Sequence, residues 1–198
     1  MVPKVIGITG GIASGKSNVS NVIESLGYTV LDCDKITALL YLENMPIYNA
    51  IKKEFGEDYF LDDLSLDKKK IAKLIFNNKF EKERLDNITH PIIKKYLKDE
   101  INKFDGKLLF IEIPLLYEAK FEDLCDKIIC VFLSKKMQVI RLMEREGIDE
   151  DYALLKIHSQ MDLYMKKSLA DYVIDSKGDF SETKSQVIDL IKKIEGEI

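Results

Sequence analysis

The chain has 198 residues, of which 46% are hydrophobic and 32% charged, and its formal net charge is −4. These values describe a folded protein long enough for one α/β domain with an insertion, and they exclude a disordered chain. The acidic balance and the lack of any membrane-length apolar run lead us to expect neither a nucleic-acid nor a membrane partner.

The first predicted element is a strand, because Val5–Thr9 is a short apolar run. A complete G-x-x-x-x-G-K-[ST] pattern follows at residues 10–17. Apolar residues at helical spacing then predict a helix over Lys16–Leu26, with Gly27 placed to end it. In this arrangement, backbone N–H groups of the turn and the positive end of the helix dipole converge on a phosphate. The sequence therefore predicts a nucleoside-triphosphate site.

Two side chains of this loop have predicted roles of their own. Lys16 is expected to reach the β- and γ-phosphates, and the Ser17 hydroxyl to ligate Mg²⁺, the expected cofactor. We assign the triphosphate to the whole run, which comprises Gly10, Gly11, Ile12, Ala13, Ser14, Gly15, Lys16, Ser17 and Asn18.

A second strand is predicted at Thr29–Leu31, and two carboxylates follow it, Asp32 and Asp34. Alternate residues of a strand share a face, so both carboxylates can point the same way. Such a carboxylate can orient an acceptor hydroxyl beside the γ-phosphate and take its proton. The alternative is that Asp34 only caps the next helix, and the residues alone leave both open.

Three further apolar runs predict strands at Leu108–Ile113, Ile128–Leu133 and Tyr172–Ile174. Helical patterns separate the runs, so we predict an α/β fold with a five-stranded parallel sheet flanked by helices. Its core comprises residues 1–34, 104–136 and 168–198. The carboxyl ends of the strands share one edge, where ligands of such sheets bind.

Two stretches do not belong to this sheet. Residues 35–103 are too long for one crossover helix and hold several helical patterns, such as Ile47–Phe55 and Ile71–Phe76, which predicts an inserted helical subdomain. Within it, His90-Pro91 is expected to close one helix and begin another. Residues 137–167 are helical, rich in charge and broken at Glu146-Gly147, which predicts a mobile lid.

Arg141 and Arg145 lie four residues apart and therefore on one face of the lid helix. Cationic side chains brought in by lid closure stabilise the charge of a transferring phosphoryl group. The alternative is a solvated helix with salt bridges to the neighbouring Glu144 and Glu146.

Two short patterns resemble GTPase motifs and are rejected as such. Residues 102–105 match N-K-x-D and residues 175–178 match D-x-x-G, but their order is reversed. The first also precedes a strand rather than following one, so we interpret Asn102–Asp105 as a helix end and a turn. A partner-binding nucleotide switch is accordingly the disfavoured class.

The three cysteines, Cys33, Cys125 and Cys130, have neither C-x-x-C nor metal-finger spacing. We expect them to be reduced and to act as small buried hydrophobic residues, which predicts a cytoplasmic protein. The predicted first strand also leaves no room for a signal peptide before it. Oligomeric state is left open.

Taken together, the motifs resemble the dephospho-CoA kinase family along nearly the whole chain. The most specific segment is Ile113–Glu118, which is similar to the P-L-L-F-E segment of that family. The other matching residues, in order, are Thr9–Ile12, Ser14–Ser17, Asp32–Asp34, Phe55-Gly56, Leu66-Asp67, Arg84-Leu85, His90-Pro91, Gln138, Arg141, Arg145, Ser159-Gln160, Lys166 and Ala170–Asp175.

The resemblance implies a P-loop kinase with a helical acceptor-binding insertion and a lid. It implies transfer of the ATP γ-phosphate, with Mg²⁺, to the ribose 3′-hydroxyl of 3′-dephospho-CoA. Asp34 would be the base, and Lys16 and Arg141 the catalytic cations. The acceptor would contact Asp34, Arg84, His90, Leu115, Leu116 and Glu118, and ATP would also contact Arg145, Ser176 and Gly178. The alternative is a P-loop kinase acting on a nucleoside or a nucleoside monophosphate.

Five positions depart from the family pattern. Ala13 stands where glycine is usual, Asn18 where threonine is usual, and Ser176 where asparagine is usual. Lys68 and Lys156 stand where arginine is common, and a lysine cannot make a bidentate clamp on a phosphate. The minimal loop is unbroken because its two glycines, lysine and serine remain.

Overall fold

The computed structural model describes residues 3–197, and within that range the side chains of Phe76 and Asn77 are outside the description. Met1, Val2 and Ile198, at the ends of the predicted core ranges, therefore lie outside the described residues. The chain divides into two compact units. One contains the residues up to Asp32 and those from Lys103 onward, and the other is Cys33–Asn102.

The first unit is built on a parallel sheet in the order β2-β3-β1-β4-β5. The strands are β1 (Lys4–Gly10), β2 (Thr29–Asp32), β3 (Leu108–Glu112), β4 (Lys127–Phe132) and β5 (Tyr172–Asp175). Each predicted strand is confirmed, with ends that shift by no more than one residue. The parallel arrangement places all carboxyl ends at one edge, as predicted.

The described residues also form nine α-helices. They are α1 (Lys16–Ser25), α2 (Cys33–Leu40), α3 (Pro46–Phe55), α4 (Lys68–Asn77), α5 (Lys79–Lys103), α6 (Lys135–Glu146), α7 (Glu150–His158), α8 (Leu163–Leu169) and α9 (Phe180–Gly196). Short 3₁₀ turns occupy Glu57–Tyr59 and Glu122–Leu124. Helix α5 ends at Lys103, which confirms the interpretation of Asn102–Asp105 as a helix end.

The main core joins the central strands to α1 and α9. Ile6, Ile8 and Phe110 are fully buried in it, with α1 and α9 contributing apolar faces that include Val22 and Ile191. Burial of each such side chain stabilises the fold by about 1.5–3 kcal/mol, before the entropy cost of ordering it. The glycine loop between β1 and α1 therefore starts and ends on well-packed elements.

Helix α1 ends as the sequence predicts. Gly27 has a φ of 92°, in the left-handed region, and its N–H donates to the carbonyl of Glu24 at 2.9 Å. A residue without a Cβ adopts this conformation at least cost, so the glycine stops the helix and turns the chain toward β2.

The second unit contains α2 to α4 and most of α5. Its interior holds Leu40, Ile47, Ile51 and Leu97, all fully buried. The ring of Tyr48 meets that of Phe60 edge-on at 4.7 Å between centroids. The unit thus contains buried apolar side chains from α2, α3 and α5.

Helix α5 corrects the prediction that His90-Pro91 separates two helices, because it runs unbroken through Pro91. A proline inside a helix removes one backbone hydrogen bond and normally disfavours the conformation. Here Leu85, Thr89, Ile93 and Leu97 recur every fourth residue and are all buried. One continuous buried face favours one continuous helix, and that packing outweighs the local cost.

Helices α6 and α7 form a hairpin, which we call the α6–α7 hairpin. Gly147 ends α6 with a φ of 65° and donates its N–H to Met143 at 2.8 Å, which confirms the predicted break. Val139, Leu142 and Ala153 form the buried core between the two helices. A second break, between His158 and Leu163, was not predicted.

Candidate nucleotide-binding site

The phosphate loop joins the end of β1 to the start of α1 and leaves little space around its glycines. Gly15 has a φ of 89°, where a side chain would be strained. At Gly10, the backbone φ is not in that region, but an added Cβ would lie 2.5 Å from the carbonyl oxygen of Val131. These glycines therefore let the backbone approach β4 and begin the helix.

Lys16 folds back over the loop. Its Nζ donates to the carbonyl of Gly11 at 2.9 Å and lies 3.4 Å from that of Gly10. A charge held there is close to where the loop amides would hold phosphate oxygens. Ser17 is exposed at the start of α1, within the same cleft.

A cleft of about 470 Å³ opens beside the loop, between α1, α6 and the start of α9. The N-termini of α1 and α9 both border it, so two helix dipoles direct positive potential into one space. Its lining includes the predicted residues Ala13, Ser14, Gly15, Lys16, Ser17, Asn18, Arg141, Arg145, Ser176 and Gly178. The cleft has the size and polarity of a nucleotide site.

Three lining residues were not predicted: Asp179, Phe180 and Thr183. Phe180 is 55% exposed although it is aromatic, and it begins α9. Asp179 caps that helix by accepting the N–H of Glu182 at 2.8 Å. In the sequence, Asp179 followed by Phe180 indicates only the start of a helix. That these residues line the cleft could be seen only in the structure.

The two arginines of α6 both line the cleft but have different partners. Arg141 donates to the carbonyl of Ser176 at 2.7 Å. Arg145 pairs with Glu146 at 2.7 Å, and Glu146 also meets Lys156. These two cations lower the pKa of the Glu146 carboxyl. Arg145 thus has an ion-pair partner on its own helix, and its contact with ATP stays a prediction.

Ser176 and Gly178 lie after β5, where the resemblance places them near ATP. The Ser176 hydroxyl is buried and donates toward the carbonyls of Ser14, at 2.6 Å, and Phe132, at 3.2 Å. It thus ties the loop to the neighbouring strands. At Gly178 an added Cβ would collide with the carboxylate of Glu182, so a larger residue would require that side chain to move.

The segment after β3 divides into exposed and buried parts. Leu115 is 43% exposed, whereas Leu116 is fully buried and packs beside Gly7. Glu118 accepts from the Nζ of Lys166 at 2.8 Å and from the N–H of Met161 at 3.0 Å. Leu116 thus supports this segment from within.

Lys166 has no exposed surface, which is rare for a lysine. Its Nζ also donates to the carbonyl of Pro114 at 2.8 Å, and the Thr9 hydroxyl donates to the same oxygen at 3.2 Å. The buried ion pair therefore connects α8 to the end of β1 and to the segment after β3. Among the described residues, Oε2 of Glu118 is buried without a hydrogen-bond partner.

Asp34 does not lie on a strand, which corrects the expectation that it shares a strand face with Asp32. Asp32 ends β2, and Asp34 falls in the first turn of α2. It is therefore also inside the helix rather than its cap. A carboxylate in that turn faces the positive end of the helix dipole, which explains locally why the helix begins here.

Arg84 and His90 both lie on α5. Arg84 donates to the carboxylate of Glu54 at 2.8 Å and stacks over Phe55, 4.6 Å from the ring centroid. Burial lowers the pKa of His90, partly offset by the charge of Asp86. Arg84 thus has a structural partner on α3, and its acceptor role stays a prediction.

The cleft fits a magnesium–nucleotide complex better than a free metal ion. Within residues 3–197, no group of three His, Cys, Asp or Glu side chains could hold a metal. The exposed Ser17 hydroxyl is a hard oxygen ligand at the mouth of the loop. Mg²⁺ commonly takes few protein ligands and completes its shell with substrate phosphates and water, which suits this arrangement.

The cysteines behave as small hydrophobic residues. Burial raises the pKa of Cys125 to about 12 and that of Cys130 to about 11. Thiols with such values hold almost no thiolate at neutral pH and are poor nucleophiles or metal ligands. Cys33 is buried too, and within the described part of the chain no disulfide joins any of the three.

Comparison with known proteins places the chain among kinases. The family model described as dephospho-CoA kinase matches residues 4–182. A dephospho-CoA kinase from Carboxydothermus hydrogenoformans is 36% identical over 196 residues, covering 98% of this chain and 95% of the relative. One from Bacillus licheniformis is 38% identical over 190 residues, covering 94% of each.

Solved structures agree with the sequence matches. The dephospho-CoA kinase from Campylobacter jejuni superposes with a TM-score of 0.73 at 27% identity, covering 98% of both chains. A shikimate kinase from Bacteroides thetaiotaomicron superposes with a TM-score of 0.53 at 16% identity, covering 97% of this chain and 98% of its own, which shows the shared fold alone. Among the described helices, none has the length and apolar character to cross a membrane.

Proposed function

Because the chain belongs to the dephospho-CoA kinase family, we propose that it transfers the γ-phosphoryl group of ATP to the ribose 3′-hydroxyl of dephospho-CoA. The products are coenzyme A and ADP. The observation that carries the proposal is the cleft: a phosphate loop crossed by Lys16, two helix N-termini and Arg141 border one space. Those groups are suited to binding a triphosphate and stabilising its transfer.

The transfer exchanges one oxygen–phosphorus bond for another. The acceptor 3′-oxygen bonds to the γ-phosphorus, the bond from that phosphorus to the β–γ bridging oxygen breaks, and ADP leaves. Asp34 orients the 3′-hydroxyl and accepts its proton. Support for this role is its place directly after β2, whose carboxyl end lies at the ligand-binding edge of the sheet.

The nucleotide side is assigned to the loop and the lid. The loop amides and Lys16 hold the phosphates, and Arg141 meets the transferring group once its bond to Ser176 is exchanged for phosphate oxygens. Residues 137–167 act as the lid, excluding water so that ATP is not hydrolysed. Mg²⁺, held through Ser17, would neutralise charge on the phosphates when bound.

The acceptor side is assigned to residues 35–103, with Arg84 and His90, and to Leu115 and Glu118 after β3. Leu116 would contribute by supporting its neighbours. Support comes from the exposure of Leu115 and from the buried Oε2 of Glu118, which has unused capacity to accept a hydrogen bond.

A substrate panel tests this proposal against a kinase for nucleosides or nucleoside monophosphates. The pure protein is incubated with ATP, Mg²⁺ and each acceptor in turn, and ADP formation is measured. We expect turnover with dephospho-CoA and little with the other acceptors. Turnover of a nucleoside or a monophosphate without turnover of dephospho-CoA would favour the alternative.

A further inference from the structure

The backbone of Ile12 is held on both sides of its Cα by glutamine side chains. Gln138 donates its Nε2–H to the carbonyl oxygen of Ile12 at 2.7 Å. The N–H of Ile12 donates to Oε1 of Gln160 at 3.0 Å. Both polar groups of one loop residue are therefore satisfied by side chains more than 120 positions away in sequence.

The two glutamines lie where the chain enters and where it leaves the α6–α7 hairpin. Gln138 lies in the first turn of α6, is 2% exposed, and anchors that turn by donating its own N–H to Ser134 at 2.9 Å. Gln160 follows α7 in the connection to α8. Because the two peptide groups that flank the Cα of Ile12 receive one hydrogen bond each, the backbone orientation at Ile12 depends on where the hairpin begins and ends.

Gly11 gives an independent sign of this arrangement. Its φ is not in the left-handed region, so its backbone conformation does not demand glycine. An added Cβ would instead collide with Nε2 of Gln138 and lie 3.1 Å from Leu163. A side chain at position 11 would therefore have to displace the Gln138 amide from its present place.

Apolar contacts join the same parts. The side chains of Ile12 and Ala13 pack against the core of the α6–α7 hairpin, formed by Val139, Leu142 and Ala153. The tip of the phosphate loop is therefore part of the hairpin's packing, and hydrogen bonds fix its direction while the apolar contacts fix its position.

We propose that Gln138 and Gln160 are positioning residues that fix the Ile12 backbone to the hairpin and so align the following loop amides for phosphate. The N–H of Ile12 donates to Gln160 and does not bind a phosphate oxygen. The phosphate oxygens are bound by residues 13–17. This inference rests on the proposed function only in taking ATP as the ligand.

One substitution made at both sites separates the two roles. Gln138→Glu removes the donor and sets a carboxylate against the Ile12 carbonyl, whereas Gln160→Glu keeps an acceptor for the Ile12 N–H. Both variants make the same chemical change beside the same loop residue. We expect ATP to bind about tenfold more weakly to Gln138→Glu than to Gln160→Glu, by calorimetry without acceptor.

A second measurement reports directly on the hydrogen bond from the Ile12 N–H to Gln160. Exchange of the Ile12 amide hydrogen, measured by NMR, should be slow in the parent protein and in Gln160→Glu, and at least about tenfold faster in Gln160→Leu. The Michaelis constant for dephospho-CoA should change less than the dissociation constant of ATP. A residue that merely supported the fold would shift both together.

Several results would overturn the proposal: equal weakening of ATP binding in the two glutamate variants, a reversed order, or unchanged amide exchange in Gln160→Leu. If Gln138→Glu does not fold, the Gln160 pair decides alone, since that side chain is only half-buried. Failure of the parent to phosphorylate dephospho-CoA would refute the proposed function and leave these binding and exchange results to judge the positioning role of the two glutamines.

Discussion

Asp34 is the residue on which the proposed chemistry depends most. Asp34→Asn keeps the size of the side chain and its place in the first turn of α2 but removes its capacity to take a proton. We expect turnover to fall about a hundredfold or more while the dissociation constant of ATP stays nearly unchanged. Steady-state kinetics and calorimetry measure the two quantities.

The matched control for this prediction is Asp62→Asn, an exposed aspartate of the same unit. It makes the same chemical change and should leave both turnover and ATP affinity at the parental values. If Asp34→Asn kept parental turnover, Asp34 could not be the base.

The second prediction for a single residue concerns the contribution of Lys166 to the stability of the fold. Lys166→Met leaves the carboxylate of the half-buried Glu118 without its cation and removes one donor from the Pro114 carbonyl. Breaking a buried ion pair from one side typically costs about 3–5 kcal/mol. We expect the free energy of unfolding, measured by urea titration, to fall by about 3 kcal/mol.

The neighbouring residue provides the comparison for Lys166. Lys167 is exposed and lies over the Phe132 ring, 4.3 Å from its centroid. Lys167→Met should cost less than about 1 kcal/mol, since exposed cation–π contacts are weak. Equal losses in the two variants would mean that the buried pair adds nothing specific.

At the scale of elements, the α6–α7 hairpin depends on the turn at Gly147. Gly147 has a φ of 65° and no atom within contact distance of an added Cβ, so Gly147→Ala introduces strain without a clash. A left-handed residue with a Cβ costs about 1–2 kcal/mol. We expect a loss of about 1 kcal/mol in the free energy of unfolding.

Gly196→Ala is the control for the hairpin prediction. Gly196 is also open around its Cβ position but is not in the left-handed region, and it lies in the last turn of α9. Alanine favours a helix over glycine, so this variant should be neutral or slightly more stable. The prediction fails if both variants shift stability in the same direction by similar amounts.

Elements with strong local signals were predictable from the sequence, and elements decided by packing were not. The strands follow from apolar runs, and α1 follows from the glycine loop before it and Gly27 after it. Pro91 carries a local breaking signal, but the buried face of α5 overrides it. Asp34 follows β2 so closely that pattern alone did not separate a strand residue from a helical one.

At the scale of the whole molecule, the order of strands determined how much of the site could be foreseen. The loop, Ser17 and Arg141 border one cleft because β1, β4 and β5 end at one edge. The sequence did not predict that Phe180 lines the cleft or that two glutamines bind the Ile12 backbone. Each depends on contacts between residues far apart in sequence. Local sequence patterns do not predict contacts between distant parts of the chain.

The position of the transferred phosphate shows whether the ribose 3′-hydroxyl is the acceptor. The protein is mixed with ATP, Mg²⁺ and either dephospho-CoA or its 3′-deoxyribose analogue, and the products are identified by ³¹P NMR. We expect a new 3′-phosphate monoester on dephospho-CoA. We expect no new phosphate monoester on the analogue. Phosphorylation of the analogue, or a monoester at any other oxygen of dephospho-CoA, would contradict the account.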